Sequence, residues 1–214
     1  MTWPPVPLAA VVLAAGAGSR FSSTPGAKLL AELDGSPLLD HVLRAVRTFG
    51  PAVTIVVMGH GADALEGSLA WATELRVRNR APERGLASSL RVGFDTLRAR
   101  PEQVQGAFVV LGDQPRLRTE VMSSLAAAVG EARRTSRPIV VPRYAEDTTA
   151  GSRNPVLLLR PAWPFVDSLS GDRGLGPLLA QRPDLILEVP VTGTNPDVDR
   201  PDDLAALAEG GPPS

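Results

Sequence analysis

The stretch Val11–Leu30, "VVLAAGAGSRFSSTPGAKLL", decides how the rest of the chain is read. Ala9–Ala15, "AAVVLAA", is a continuous apolar run, the pattern of a strand covered on both faces. It gives way to a loop of glycine, alanine and serine. Gly16 and Gly18 let the backbone turn tightly and bring N–H groups close to a ligand. Exposed N–H groups at a turn or helix start attract anions. Arg20 and Lys28 lie in this span, and no Asp or Glu occurs before Glu32. Two cations unopposed by local acids point to a polyphosphate cradle; an ordinary loop with solvated charges is the other reading. The loop is not a P-loop, because Gly26-Ala27-Lys28-Leu29 lacks the required Gly-Lys-Ser/Thr. Nor is it a good dinucleotide fingerprint, because Phe21 stands where the third glycine would pack helix on strand.

Outward from this stretch, buried strands alternate with helical patterns. "SPLLDHVLRAVRTF" (Ser36–Phe49) has Leu38, Leu39, Val42, Leu43 and Val46 at helical spacing, with Ser36 as the expected N-cap and Pro37 at the first helical position. "VTIVVM" (Val53–Met58) and "GAFVVLGD" (Gly106–Asp113) read as further buried strands, and "ELRVRN" as an edge strand. Helices are expected over "GADALEGSLAWA", Leu86–Ala99, "RTEVMSSLAAAVGEARR" and "GDRGLGPLLAQR", and over "RPDDLAALAEG" with a glycine cap. "RPIVVPRY", "NPVLLLR" and "DLILEVPV" are expected strands, and the tail "GPPS" is expected to be loose. This order predicts an α/β sandwich with a mostly parallel central sheet, in one domain spanning residues 1–214. Ligands of such sheets gather at the carboxyl ends of the strands. That places the loops after Ala15, Met58 and Leu111 together.

Composition narrows the chemistry. Apolar residues make up 43% of the 214 positions and charged residues 21%, with a net charge of −1. That is a soluble globular composition with no global bias toward nucleic acid or an anionic membrane. The N-terminal apolar run has no basic residue before it and is glycine-broken, so it reads as the first strand and not as a signal peptide or a membrane span. There are no cysteines, which excludes disulfides, thiolate metal sites and a Cys nucleophile. Their absence fits a cytoplasmic location. With two histidines, His41 and His60, a multi-His zinc site is excluded in practice.

Several polar residues are candidates for chemistry. Asp113 ends a central strand in "VVLGDQP" and is a natural hard ligand for Mg²⁺ bridging phosphates, or else a cap of the next turn. Asp197 and Asp199 alternate in "NPDVDRPDDL" and share one face of an extended segment. They could complete a metal site with Asp113, or serve as dipole-favoured acids at a helix start. Gly85, Ser88 and Ser89 in "ERGLASSL" sit at a loop-to-helix junction, where they could read a base edge or simply cap the helix. His41 reads as a packed helix residue, whereas His60 lies beyond a strand end near the crevice. Arg153, Asn154, Asp172 and Arg173 occupy loops that could shape an acceptor site.

Taken in order, "VLAAGAGSRF…K", "GLASSL", "VVLGDQP", "NPVLL", "GDRGLGPLL" and "DVDRPDDL" resemble the MobA-like nucleotidyltransferases, over Ala10 to Leu207. The sequence is most similar to the molybdenum cofactor cytidylyltransferase branch. The resemblance implies a three-layer αβα sandwich with a Rossmann-like sheet of the nucleotide-diphospho-sugar transferase type. It implies Mg²⁺-dependent transfer of CMP from CTP to molybdopterin, or a related phosphorylated small molecule, with release of pyrophosphate. A molybdenum hydroxylase or its chaperone would be the downstream partner. On that resemblance Ala14, Ala15 and Gly16 lie against base and ribose, and Gly18, Arg20 and Lys28 hold phosphates. Gly85, Ser88 and Ser89 line the nucleotide pocket, and Asp113 binds metal with help from Asp199. Leu13-Ala14-Ala15-Gly16 resembles the cytidylyl type, the guanylyl-specific relatives having Gly at the position of Ala15. The Gly16–Lys28 loop is longer than the family's usual pattern, and Asn154 stands where this branch usually has His. Other readings are transfer to another phosphorylated acceptor, an NAD(P)H-dependent oxidoreductase resembling nicotine blue oxidoreductase, and a non-catalytic cofactor carrier.

Overall fold

The structure, a computed structural model, describes residues 7–100, 103–145 and 153–209. The expected cap at Gly210 and the tail "GPPS" lie outside these residues, as does the N-terminal hexapeptide. The first strand, β1 (Leu8–Ala14), is buried along its whole length. Its side chains alternate strictly: Ala9, Val11 and Leu13 enter one apolar layer, and Leu8, Ala10, Val12 and Ala14 the other. The period of two and the absence of a wet face make β1 an interior strand of the sheet. The short helix α1 (Ala27–Leu30) follows, then β2 (Glu32–Leu33) and β3 (Ser36–Pro37), and then α2 (Leu38–Phe49). β4 (Val53–Met58), α3 (Ala62–Ser68), β5 (Leu75–Arg78), α4 (Leu86–Arg98) and β6 (Gly106–Leu111) continue the alternation. α5 (Thr119–Ala127), α6 (Val129–Arg134), β7 (Ile139–Tyr144), β8 (Val156–Leu159), α7 (Pro164–Ser168), α8 (Gly176–Gln181), β9 (Ile186–Val191) and α9 (Pro201–Glu209) complete it.

The main sheet has seven strands in the order β5-β4-β1-β6-β8-β7-β9. All neighbours are parallel except at β8, which runs against both β6 and β7. Helices α4, α7 and α8 cover one face, and α2, α3, α5 and α6 the other. This is the three-layer αβα sandwich of the nucleotide-diphospho-sugar transferase fold. The chain leaves β1 first toward β4 and β5, then returns to lay β6 on the opposite side. The strand order therefore switches between β1 and β6, where open α/β sheets form their ligand crevice.

Three local expectations are corrected. Ser36 and Pro37 do not open α2; they pair with Leu33 and Glu32 as a two-stranded ladder. Between them Asp34 and Gly35 both have positive φ, 51° and 74°. Asp-Gly favours this tight hairpin turn and outweighs the capping pattern. The helix expected over Arg118–Arg134 bends at Ala128, whose N–H is shared between the Ser124 and Leu125 carbonyls at 3.3 and 3.2 Å. Both halves still bury one stripe, Met122, Leu125, Val129 and Ala132. β6 ends at Leu111, so Gly112 and Asp113 lie in the loop, pinned by Gly112 N–H to the Leu13 carbonyl at 2.9 Å.

Candidate active site

The loop after β1 returns a lysine to the crevice. Gly18 has φ of 60°, and a side chain there would lie 3.1 Å from Lys28 Cβ, so the turn closes directly on the lysine. Phe21 and Ser22 donate their N–H groups to the Gly18 carbonyl, and Ala27 donates to Thr24. Thr24 N–H also bonds Ser22 Oγ at 3.1 Å. The extra loop length is thus taken up in local turns, and α1 brings Lys28 back beneath the strand ends. Its ammonium lies 2.7 Å from Asp113 Oδ2 and 3.0 Å from Asp199 Oδ1. Arg20 reaches the other oxygen of Asp199 at 3.0 Å from the solvent side.

These ion pairs set the protonation states. Burial works against the charge of Lys28, but Asp113 and Asp199 outweigh it and hold its pKa above the ordinary lysine value. The Lys28 hydrogen bond holds Asp199 below the usual carboxylate range, assisted by Arg20. Burial raises Asp197, as do the charges of Asp113 and Asp199, although Gln114 donates a hydrogen bond to it.

Asp199 is not a helix cap. Asp203 takes that task, its Oδ2 accepting the N–H groups of Asp199 and Arg200 at 2.8 and 2.7 Å. This leaves the Asp199 carboxylate free of the backbone and turned to the cations. Val198 N–H bonds the Asp113 carbonyl at 3.0 Å, so the two acidic segments are stitched together by backbone as well. The Gly59–Gly61 loop closes a third side: a side chain at Gly61 would meet the Gly26 backbone at 2.6 Å. The loops after β1, β4 and β6 therefore converge as expected.

The remaining candidates lie around this centre. Ala14 and Ala15 are buried under the loop, while Gly16 is exposed with open space at its Cα. Ser88 and Ser89 are 7% and 2% exposed, and Asn79 Nδ2 donates to both hydroxyls, at 2.8 and 3.0 Å. Ser88 Oγ also bonds the Gly85 carbonyl at 2.7 Å, so these hydroxyls hold the turn Asn79–Gly85 in shape. Gly85 approaches the Gly171–Asp172 turn so closely that a side chain would stand 2.5 Å from Asp172 Oδ1. His41 Nε2 donates to the Leu33 carbonyl of the hairpin at 2.7 Å, and His60 is exposed with Glu83 at 3.8 Å.

Beside the charged centre runs a groove of about 830 Å³, between the sheet and α8. Leu13, Leu111, Leu175 and Leu179 give it an apolar wall; Arg137, Arg153 and Arg173 stand along it with Glu188 as its one acid. Arg153 pairs with Glu188 at 3.6 Å, while Arg137 and Arg173 have no acidic partner among the described residues.

Among the described residues no group of three or more acidic or histidine side chains forms a closed metal site. The donors present are the two hard carboxylates held on one ammonium. Mg²⁺ keeps several waters and is held by one or two carboxylates plus substrate phosphates, so this donor set fits such an ion. Sequence reasoning missed the buried amides Gln114 and Asn195, 1% and 2% exposed, which flank the acids. The only signal was their place inside "GDQP" and "TNPDVD". No helix among the described residues is long and apolar enough to cross a membrane.

Comparison with known proteins agrees with this fold. The family model of the MobA-like NTP transferase domain matches residues 10–185. The crystal structure of Rv0371c from Mycobacterium tuberculosis H37Rv is 29% identical and superposes with a TM-score of 0.78, covering 97% of this chain and 100% of that one. The same protein in complex with manganese is 27% identical, with a TM-score of 0.75 over 95% and 99% of the two chains. The Bifunctional protein GlmU of Sorangium cellulosum is 34% identical over 137 residues, 62% of this chain. The chain spans 28% of the length of that relative.

Proposed function

The chain belongs to the MobA-like NTP transferase domain family, and from that premise we propose that it transfers CMP from CTP to molybdopterin, releasing pyrophosphate, with Mg²⁺. The observation that carries this reading is the convergence of Lys28, Arg20, Asp113 and Asp199 at the strand-order switch, next to a groove with an arginine rim.

In this reaction a phosphate oxygen of the acceptor attacks the α-phosphorus of CTP. The bond from that phosphorus to the bridging oxygen breaks, and pyrophosphate carries away the electron pair. A phosphate monoester is already anionic at neutral pH and needs no general base, which suits a centre without histidine. The obstacle is the approach of one anion to another. Lys28 and Arg20 offset that repulsion and stabilise charge developing on the leaving group, so catalysis is positioning and electrostatics. Asp113 and Asp199 would hold the divalent cation, whose charge would neutralise the phosphates. That the mycobacterial relative has been solved in complex with manganese supports the choice of a divalent ion. Gly16 and Gly18 would present backbone N–H groups to the triphosphate, with Ala14 and Ala15 beneath the nucleoside. Gly85, Ser88 and Ser89 would form its wall. The groove would take the acceptor, its leucines covering an apolar ring system and its arginines facing anionic groups.

The test is pyrophosphate release from CTP, GTP, ATP and UTP, with molybdopterin, in the presence and absence of Mg²⁺ or Mn²⁺. Turnover selective for CTP and dependent on metal is the expected result. Turnover with CTP and another phosphorylated acceptor, but not molybdopterin, would reassign the acceptor. Metal-independent oxidation of NADH or NADPH without response to CTP would overturn the reading.

A further inference from the structure

Gln114 and Asn195 are almost fully buried, yet neither side chain belongs to the charged centre. They bond reciprocally: Asn195 Nδ2 donates to Gln114 Oε1 at 3.1 Å, and Gln114 Nε2 donates to the Asn195 carbonyl at 3.3 Å. Each amide has a second acceptor. Gln114 Nε2 donates to Asp197, and Asn195 Nδ2 donates to the Asn154 carbonyl at 3.3 Å. A carboxylate and two main-chain carbonyls can only accept, so they fix which end of each amide is nitrogen. The pair therefore has one orientation.

Its location gives it a task. Gln114 is the immediate neighbour of Asp113, on the loop after β6. Asn195 lies on the extended segment that carries Asp197 and Asp199. Asn154 lies just before β8 and lines the groove. The amide pair thus joins the three segments that carry the two metal-facing acids and the groove wall. These acids repel one another, and among the described residues only Lys28 supplies a cation shared between them. The two buried amides give a neutral link that adds no charge to the site, with Asn195 Oδ1 the one buried polar side-chain atom left without a hydrogen-bond partner among the described residues.

We propose that Gln114 and Asn195 are positioning residues that hold Asp113 and Asp199 in place for a divalent cation; the inference rests on the metal-dependent reading above. Groups that orient metal ligands from behind typically govern affinity by about tenfold or more when removed.

The test uses the full chain and Mn²⁺ as the probe, with free Mn²⁺ counted by electron paramagnetic resonance in the presence and absence of CTP. Gln114→Met and Asn195→Leu keep side-chain volume and add no charge. Each is expected to raise the Mn²⁺ dissociation constant about tenfold. The double variant is expected to be no weaker than the worse single variant, because the two act as one unit. Asn195→Ser, which keeps a small polar group and is the milder test of folding, is expected to fall between. Thr119→Ala removes a hydrogen bond of 3.1 Å to the Ala45 carbonyl, which ties α5 to α2, and controls for lost stability. It is expected to lower the melting temperature without moving the Mn²⁺ constant. Unchanged Mn²⁺ binding in the folded single variants, or strictly additive effects in the double variant, would overturn the proposal while leaving the nucleotidyl-transfer reading intact. Failure of the unaltered protein to bind Mn²⁺ with or without CTP would overturn both.

Discussion

Lys28 is where three separate charged segments meet, and its removal separates two roles that the structure combines. Lys28→Ala is expected to lower kcat by about 100-fold or more, as loss of a preorganised charge at a transition state does. The same variant is expected to bind Mn²⁺ at least as tightly as the unaltered protein, since the ammonium no longer competes for Asp113 and Asp199. Single-turnover kinetics and metal titration together check this. The raised pKa of Lys28 keeps it protonated across neutral pH, so its deprotonation should not shape the pH–rate profile below about pH 10. Asp113 was legible in the sequence because a carboxylate after a buried strand has few other places to point. Gln114 and Asn195 were not, because an amide's burial depends on what packs over it, and that is decided by residues far along the chain. Asp203 was hidden by its neighbours: four acids lie within Asp197–Asp203, and only the fold shows which of them caps α9.

Elements are placed here by close backbone approach and by one buried ion pair. Gly61→Ala would push the β4–α3 loop off Gly26, at the entrance to α1. Overpacking of this kind destabilises by about 1–3 kcal/mol. Because α1 carries Lys28, CTP affinity is expected to fall at least tenfold, a shift calorimetric titration would read. Glu74, just before β5, accepts from Arg47 on α2 and from Ala72 N–H, and its side chain is 1% exposed. Burial alone would raise its pKa, but the Arg47 hydrogen bond and backbone donors leave it below the ordinary glutamate value. A carboxyl depressed in the folded state contributes stability above its unfolded pKa of about 4.3 and loses it as pH falls through the lower folded value. Glu74→Gln is therefore expected to destabilise by about 3 kcal/mol at pH 7, with the gap closing on acidification, as denaturant melts across pH would show. The elements themselves were largely readable from apolar periodicity. The exception at Ser36–Pro37 arose because capping residues and hairpin residues share a vocabulary, and the Asp34-Gly35 turn prevailed.

For the whole molecule, the alternation of strands and helices announced the sandwich, and the strand-end loops announced where the site would be. Arg153, Asn154 and Arg173, whose loops the sequence marks as candidates for an acceptor site, line one groove; Arg137 was not legible, because only the sheet order brings its segment to the same wall. Under the acceptor assignment, Arg173→Glu is expected to raise the KM for molybdopterin at least tenfold and leave CTP binding unchanged, measured by steady-state kinetics and titration. The ion pairs at the centre also carry a consequence for the birth of the protein. Lys28 meets one partner 85 residues away and the other 171 residues away. Such long-range pairs form late, after the loops between them have been closed. During synthesis, a chain that has emerged only as far as the loop after β6 has its first carboxylate but not its second. Nucleotide and metal capture should therefore begin only when the segment around Asp199 has docked against the Asp113 loop, so that ligand binding reports on the finished protein and stabilises that state alone.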